Sequence, residues 1–204
     1  MGSAFALWQS KGRAFPEAVR VGGRDAAVNA DFRVALKILR IYGDPSVNGF
    51  RKNQAILGWF YAEWPRDAAA AVEALLAFMS PPEADGGDPI KRYAGERASA
   101  KKAESPTFCF EHDAKEIYSS FWQAYGIDLA EAGFMHWYKF LILFQTLGAD
   151  CPLGRKIGIR TMDVRDFKGR DRARMMKAKK EAQIPVRLTE EELRMARELM
   201  AKLL

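Results

Sequence analysis

Two histidines and two cysteines are the chain's whole supply of imidazole and thiol groups. Cys109 and His112 have the spacing of half a zinc site, but four ligands would also require Cys151 and His136, which form no regular second half. His112 stands beside Asp113 at an expected helix start, where an exposed side chain is expected. His136 falls inside an aromatic stretch, where a part-buried imidazole with one hydrogen-bond partner is expected. Neither cysteine belongs to a C-x-x-C pair, so the thiols suit a reducing cytoplasm better than a disulfide scaffold. No phosphate-cradling G-x-x-x-x-G-K-[ST], no G-x-G-x-x-G and no G-x-S-x-G occurs, and Gly154 and Gly158 are followed by no phosphate-binding lysine. The carboxylates are scattered rather than paired in apolar text, so none is marked as a general acid. These readings point away from an enzyme and call for no cofactor and no metal.

The feature with electrostatic force is basic. Residues 149–204 hold 15 basic and 9 acidic groups, whereas residues 108–148 hold 2 and 5. Between Arg155 and Lys180 there are 11 Lys and Arg against Asp163, Asp166 and Asp171. Such a run suits an anionic partner, either nucleic acid through counterion release or an acidic protein face. It also suits a solvated helix whose long stems cover apolar surface. Phe167 is the one aromatic within it, and three aspartates relieve it, which favours a solvated face or a protein partner over nucleic acid. Arg170, Arg172, Arg174 and Lys177 are the candidate partner-binding cations.

The elements that must position these groups read as helices. The chain has 204 residues, 49% hydrophobic and 12% aromatic, enough to fill a core. Gly22-Gly23 between Glu17–Val21 and Arg24–Val28 predicts a two-residue hairpin. Asn29 or Asp31 caps a first helix carrying Phe32, Leu36 and Leu39 to about Tyr42. Leu57, Phe60, Tyr61 and Trp64 form the buried face of a second helix. Pro65 starts a third, with Val72, Leu75, Leu76 and Met79 behind it, and Ser80-Pro81-Pro82 ends it. The polar, proline-rich stretch from 80 to 106 reads as a mobile linker.

Asp113 is expected to cap a fourth helix with Ile117, Tyr118, Phe121 and Tyr125 on one face, closed by Gly126. Gly133 to Leu147 predicts a fifth, apolar on nearly every side and therefore central. Cys151 to Asp166 leans to helix in its first half. Lys168 to Gln183 predicts a charged helix with a thin stripe of Ala173, Met176 and Ile184, halted by Pro185. Thr189 and Glu192 make a capping box for a last amphipathic helix, whose stripe of Met195, Leu199 and Leu203 is a further candidate partner-binding surface.

The expected architecture is mainly α, a helical bundle with a small N-terminal β-hairpin and a C-terminal amphipathic helix. Its parts are residues 1–79, a linker over 80–107, an aromatic-rich region over 108–186 with a basic end, and a terminal helix over 187–204. Met1 to Phe15 lacks the apolar core of a signal peptide, and Phe134 to Leu147 is too short and too often interrupted to span a membrane.

Two blocks of text also resemble a known family. The first is Phe15-Pro16-Glu17, the Gly22-Gly23 hairpin, and Val28-Asn29-Ala30-Asp31-Phe32-Arg33. The second is Phe110, Asp113, Ile117-Tyr118 and Phe121, then Tyr125-Gly126-Ile127-Asp128-Leu129, His136-Trp137-Tyr138-Lys139-Phe140 and Ile159-Arg160. Together, over about residues 12–186, they resemble phage proteins of siphophages and prophages of mainly Gram-positive bacteria. Those proteins are encoded beside the tape measure gene and regarded as tail assembly chaperones. The resemblance implies a non-catalytic protein of the host cytoplasm that binds the tape measure protein, with tail tube protein as a further partner, and that self-associates. It gives Asp128 a turn-capping role after Gly126, and His136-Trp137 a packing role. The alternatives are a minor tail component retained in the virion and a basic nucleic-acid-binding protein.

Overall fold

The computed structural model describes residues 15–80 and 107–185. The expected linker beyond Ser80 and the terminal helix bearing Met195, Leu199 and Leu203 lie outside the described residues. The described chain is mainly helical. A hairpin of β1 (Ala18–Val21) and β2 (Arg24–Ala27) precedes α1 (Phe32–Tyr42), α2 (Gly49–Phe60) and α3 (Ala68–Met79). After residue 107 come α4 (Ala114–Tyr125), α5 (Trp137–Gln145), α6 (Pro152–Thr161), a 3-10 turn (Val164–Asp166) and α7 (Gly169–Glu181).

Local chemistry sets most boundaries. Val21 pairs with Arg24 across the antiparallel hairpin, leaving Gly22 and Gly23 as the loop at φ +53° and +83°, angles that L side chains avoid. Asp31, Asn48 and Asp67 cap α1, α2 and α3 by accepting the N–H of Arg33, Arg51 and Ala70. Gly126 ends α4 in the left-handed conformation.

Three boundaries differ from the sequence expectation, two for a tertiary reason and one, the start of α3, because Asp67 caps that helix. Helix α2 stops at Phe60 because the next residues run against the end of the hairpin. Asn29 N–H donates to Phe60 O and Ala62 N–H to Ala27 O. Trp64, expected on the buried face, is therefore 59% exposed. Pro65 precedes the third helix, which starts only after Asp67. Helix α5 begins at Trp137 rather than Gly133, because residues 135–137 bridge to 30–32. Trp137 N–H donates to Ala30 O (2.7 Å) and Phe32 N–H to Met135 O (2.9 Å). Phe134 lies before the helix and faces solvent, and Ile142 within it is exposed, so α5 is not buried all round.

Helix α5 nevertheless supplies the centre of the core. The ring of Phe140 stacks on Phe32 of α1 (4.9 Å) and on Phe121 of α4 (5.1 Å), joining the parts of the chain before and after residues 81–106. Trp137, fully buried, donates its indole N–H to the carbonyl of Met79 at the end of α3. Truncating an aromatic side chain so placed costs about 3–5 kcal/mol.

Candidate functional site

The densest group of ionisable side chains inside the body lies between α4 and α6. Ser120 accepts the N–H of Leu153 (3.0 Å), Lys156 reaches Glu116 (2.7 Å), and Arg160 meets Asp113. Rising numbers on α4 match falling numbers on α6, so the two helices run antiparallel and present a polar seam at i, i+3 and i+7 spacing. Asp113 is fully buried. Its Oδ2 accepts from Arg160 (2.6 Å) and from the N–H of Cys109 (2.9 Å), and its Oδ1 from Arg160 (2.6 Å) and Lys156 (2.9 Å).

Asp113 was expected to cap α4 with its side chain. It occupies the cap position but makes no side-chain cap hydrogen bond, because both oxygens are taken by the fork of Arg160, Lys156 and Cys109. Burial alone would raise its pKa. The hydrogen bonds from Arg160, Cys109 and Lys156 outweigh burial and hold the carboxyl below its ordinary value. Glu116 is likewise held low and Lys156 high, each against the effect of burial, by their mutual hydrogen bond. Two carboxylates and two cations so arranged neutralise one another, and neither acid is poised to exchange a proton near neutrality.

Arg160 reaches further. It donates to the carbonyls of Thr107 and Ala182, so one guanidinium ties the residue after the central undescribed stretch, the start of α4 and the end of α7. A second arginine joins the two parts of the chain. Arg33 pairs with Asp31 (3.3 Å) and donates to the carbonyls of Leu129, Ala132 and Gly133 in the loop before α5. The sequence marked Asp113 as a helix cap, Arg160 as part of the basic run and Arg33 as a motif residue, and none of them as an ion-pair partner. Lys156 was read only as part of the basic run, and Glu116 and Ser120 drew no notice, although their spacing matches the partner helix.

His136 was read as a helix-interior imidazole with one partner; it has two. As the cap of α5, its Nδ1 accepts the N–H of Tyr138 (3.0 Å), which leaves the proton on Nε2 to donate to Pro16 O (2.9 Å). Burial holds its pKa below the ordinary value, although the Pro16 carbonyl and Glu17 act the other way. Asp128 caps its turn through the N–H groups of Ala130 and Glu131, and it accepts the hydroxyl of Tyr118. His112 is exposed, with its N–H turned to Cys109 Sγ. Cys151 caps α6 by accepting the N–H of Gly154. Among the described residues, no three His, Cys, Asp or Glu converge where they could hold a metal ion.

The basic run, read as one electrostatic feature, divides into two. Lys156 and Arg160 belong to the seam, Arg165 pairs with Asp163 (2.6 Å), and Lys179 donates to Met162 O (2.7 Å). The Arg165 fork draws the exposed Asp163 carboxyl down to about 2. Arg170, Arg172, Arg174 and Lys177 are exposed on α7, and among the described residues Lys177 alone of these four has a carboxylate near, Glu181 at 3.9 Å. No residue of α7 is fully buried. Met176, expected in its apolar stripe, is 53% exposed, because α7 rests on its neighbours through Met175, Ala178 and Lys179 instead.

Residues 14–184 match the profile of a family described as Bacteriophage Gp15 protein. Those residues take in the hairpin, all seven described helices and both arginine clamps, and the chain belongs to that family. No protein of curated function and no solved structure matches it.

Proposed function

Starting from membership of the bacteriophage Gp15 family, we propose that this protein is a non-catalytic tail assembly chaperone. It binds the tape measure protein in the host cytoplasm, with tail tube subunits as a further partner, and leaves before the virion is complete. The observation that carries this reading is the contrast between inside and outside. The buried and half-buried ionisable groups Asp113, Glu116, Lys156, Arg160 and His136 are each engaged by other groups of the protein. A short helix meanwhile stands on the surface, carrying Arg170, Arg172 and Arg174, which meet no carboxylate among the described residues. A protein that must hold and release another polypeptide needs such a surface and no reacting side chain.

Co-expression with the tape measure protein of the same genome tests the proposal. The tape measure protein is expected in the soluble fraction with this chain and in the pellet without it; equal solubility overturns the chaperone reading. Mass spectrometry of purified particles separates it from a retained tail component, since a chaperone is absent or strongly depleted there.

A further inference from the structure

The outer face of α7 is built against the interest of its own helix. Arg170, Arg174 and Lys177 follow one another at i, i+4 and i+7, a spacing at which like charges face each other and repel. Arg170 lies in the first turn, where the helix dipole disfavours a cation, and Asp171 is the only acid there. Neither Arg170 nor Arg174 meets a carboxylate among the described residues, and Glu181 stands only at the far end of the stripe. The packed side shows the opposite economy, with Lys179 aimed at Met162 O and Arg160 at Ala182 O. The helix is thus held firmly from behind, and Met176 stands exposed on the flank of the stripe, at i, i+4 spacing from Arg172 and Lys180.

We propose that this face of α7, centred on Arg170, Arg174 and Lys177 with Met176 on its flank about 100° round the helix from Lys177, is the docking surface for an acidic amphipathic helix of the protein partner. Charge complementarity selects the chemistry: an anionic helix lying along α7 relieves the repulsion within the stripe, and its apolar edge covers Met176. A protein helix fits better than single-stranded nucleic acid, because no exposed aromatic ring lies on α7 to stack a base. The proposal rests on the chaperone reading above and specifies the surface that does the binding.

The test uses the full chain and a fluorescein-labelled peptide of about 20 residues made of Glu, Ala and Leu with one leucine stripe, long enough to form a helix. Fluorescence anisotropy is expected to show binding that weakens as salt rises, and no binding of the same peptide with Lys in place of Glu. The triple variant R170E/R174E/K177E should bind the acidic peptide about tenfold or more weakly, as expected when three charge pairs turn repulsive. Its far-UV circular dichroism should be unchanged.

Equal binding by the triple variant overturns the proposal. So does tighter binding of a DNA duplex than of the peptide at physiological salt, which assigns the face to nucleic acid. Deletion of residues 186–204 is expected to leave peptide affinity unchanged. A rise of tenfold or more on deletion makes the chain's own terminal segment the occupant and likewise overturns it. The two readings fail separately: if the triple variant solubilises the tape measure protein as well as the parent does, the surface assignment falls and the chaperone reading stands.

Discussion

Lys156 and Arg160 stand in the same basic run as Arg170, Arg174 and Lys177, yet the two groups live in different physical worlds. On α6 the Arg160 side chain is 7% exposed and grips a fully buried carboxylate with two hydrogen bonds. On α7 the Lys177 side chain is 79% exposed and has one carboxylate at the limit of contact. The first group holds the fold together and is unavailable to a partner. The second contributes little to the fold and is available. Net charge along a sequence therefore says little about binding until each cation's counter-charge is known.

The comparison breaks most visibly if the seam proves dispensable. Arg160→Met leaves Asp113 buried with Lys156 as its only charged partner and frees the carbonyls of Thr107 and Ala182. A loss of about 3–5 kcal/mol is expected, as for other buried pairs stripped of one member. Urea unfolding followed by circular dichroism measures it. The double variant Asp113→Leu/Arg160→Met removes both charges and should recover a large part of that loss, because two desolvation costs vanish with the pair. A single-variant loss below about 1 kcal/mol would place the seam in the same class as the surface cations.

The seam also depends on how closely α6 approaches the chain before it. A Cβ on Gly154 would stand 2.5 Å from Gly148 O and 2.6 Å from Ala149 O, backbone atoms that cannot rotate aside. Gly154→Ala should cost about 1–3 kcal/mol, as other overpacked sites do. One turn along the same helix, Gly158 has nothing within 4 Å of that position. Gly158→Ala should stabilise by about 0.5–1 kcal/mol through helix propensity. Two identical substitutions with opposite signs in thermal melts would locate the constraint at the α6 start.

Much of this architecture was legible in the sequence, and the failures share a cause. The Gly22-Gly23 hairpin, the Asp31 cap, the Gly126 stop and the centrality of the Trp137–Phe140 region follow from neighbours within a few residues. Asp113 resembles a helix cap just as strongly in local text, but Arg160, 47 residues away, claims its carboxylate. His136 reads as helix interior because the aromatic text runs through it, and the carbonyl of Ala30 is what sets the helix start beside it. The exposed cations of α7 were legible as candidates. Their separation from Lys156 and Arg160 was not, since lysine and arginine look alike in a charge count whether or not an acid waits across the core.

Acid titration sharpens the contrast inside the body. The unfolded chain protonates His136 at its ordinary value of 6.5, while the folded chain resists. The unfolded state thus binds more protons as pH falls below 6.5, and this share of stability, complete above that value, is lost on acidification. Asp113 is also lowered, so its share is complete above 3.8 and is lost only as pH falls further through the folded value. Thermal melts against pH should therefore show two separate acid steps. His136→Asn, which keeps a side-chain acceptor for the Tyr138 N–H, should remove the upper step and leave the lower one. A single step unaffected by this variant would argue against the neutral, capping imidazole.

The smallest expected effect belongs to the exposed helix. R170E, R174E and K177E should each alter stability by no more than about 0.5 kcal/mol, the usual range for a surface substitution away from structural features, so the triple variant stays within about 1.5 kcal/mol. Arg170→Glu alone should be neutral or favourable by a few tenths of a kcal/mol, because an anion in the first turn suits the helix dipole and a cation does not. Calorimetry of the single and triple variants beside Arg160→Met checks both statements. A large loss in the triple variant would mean that the α7 cations are structural after all, and the division of the basic run would collapse. A small or favourable change would mean that stability does not account for a cation in that first turn.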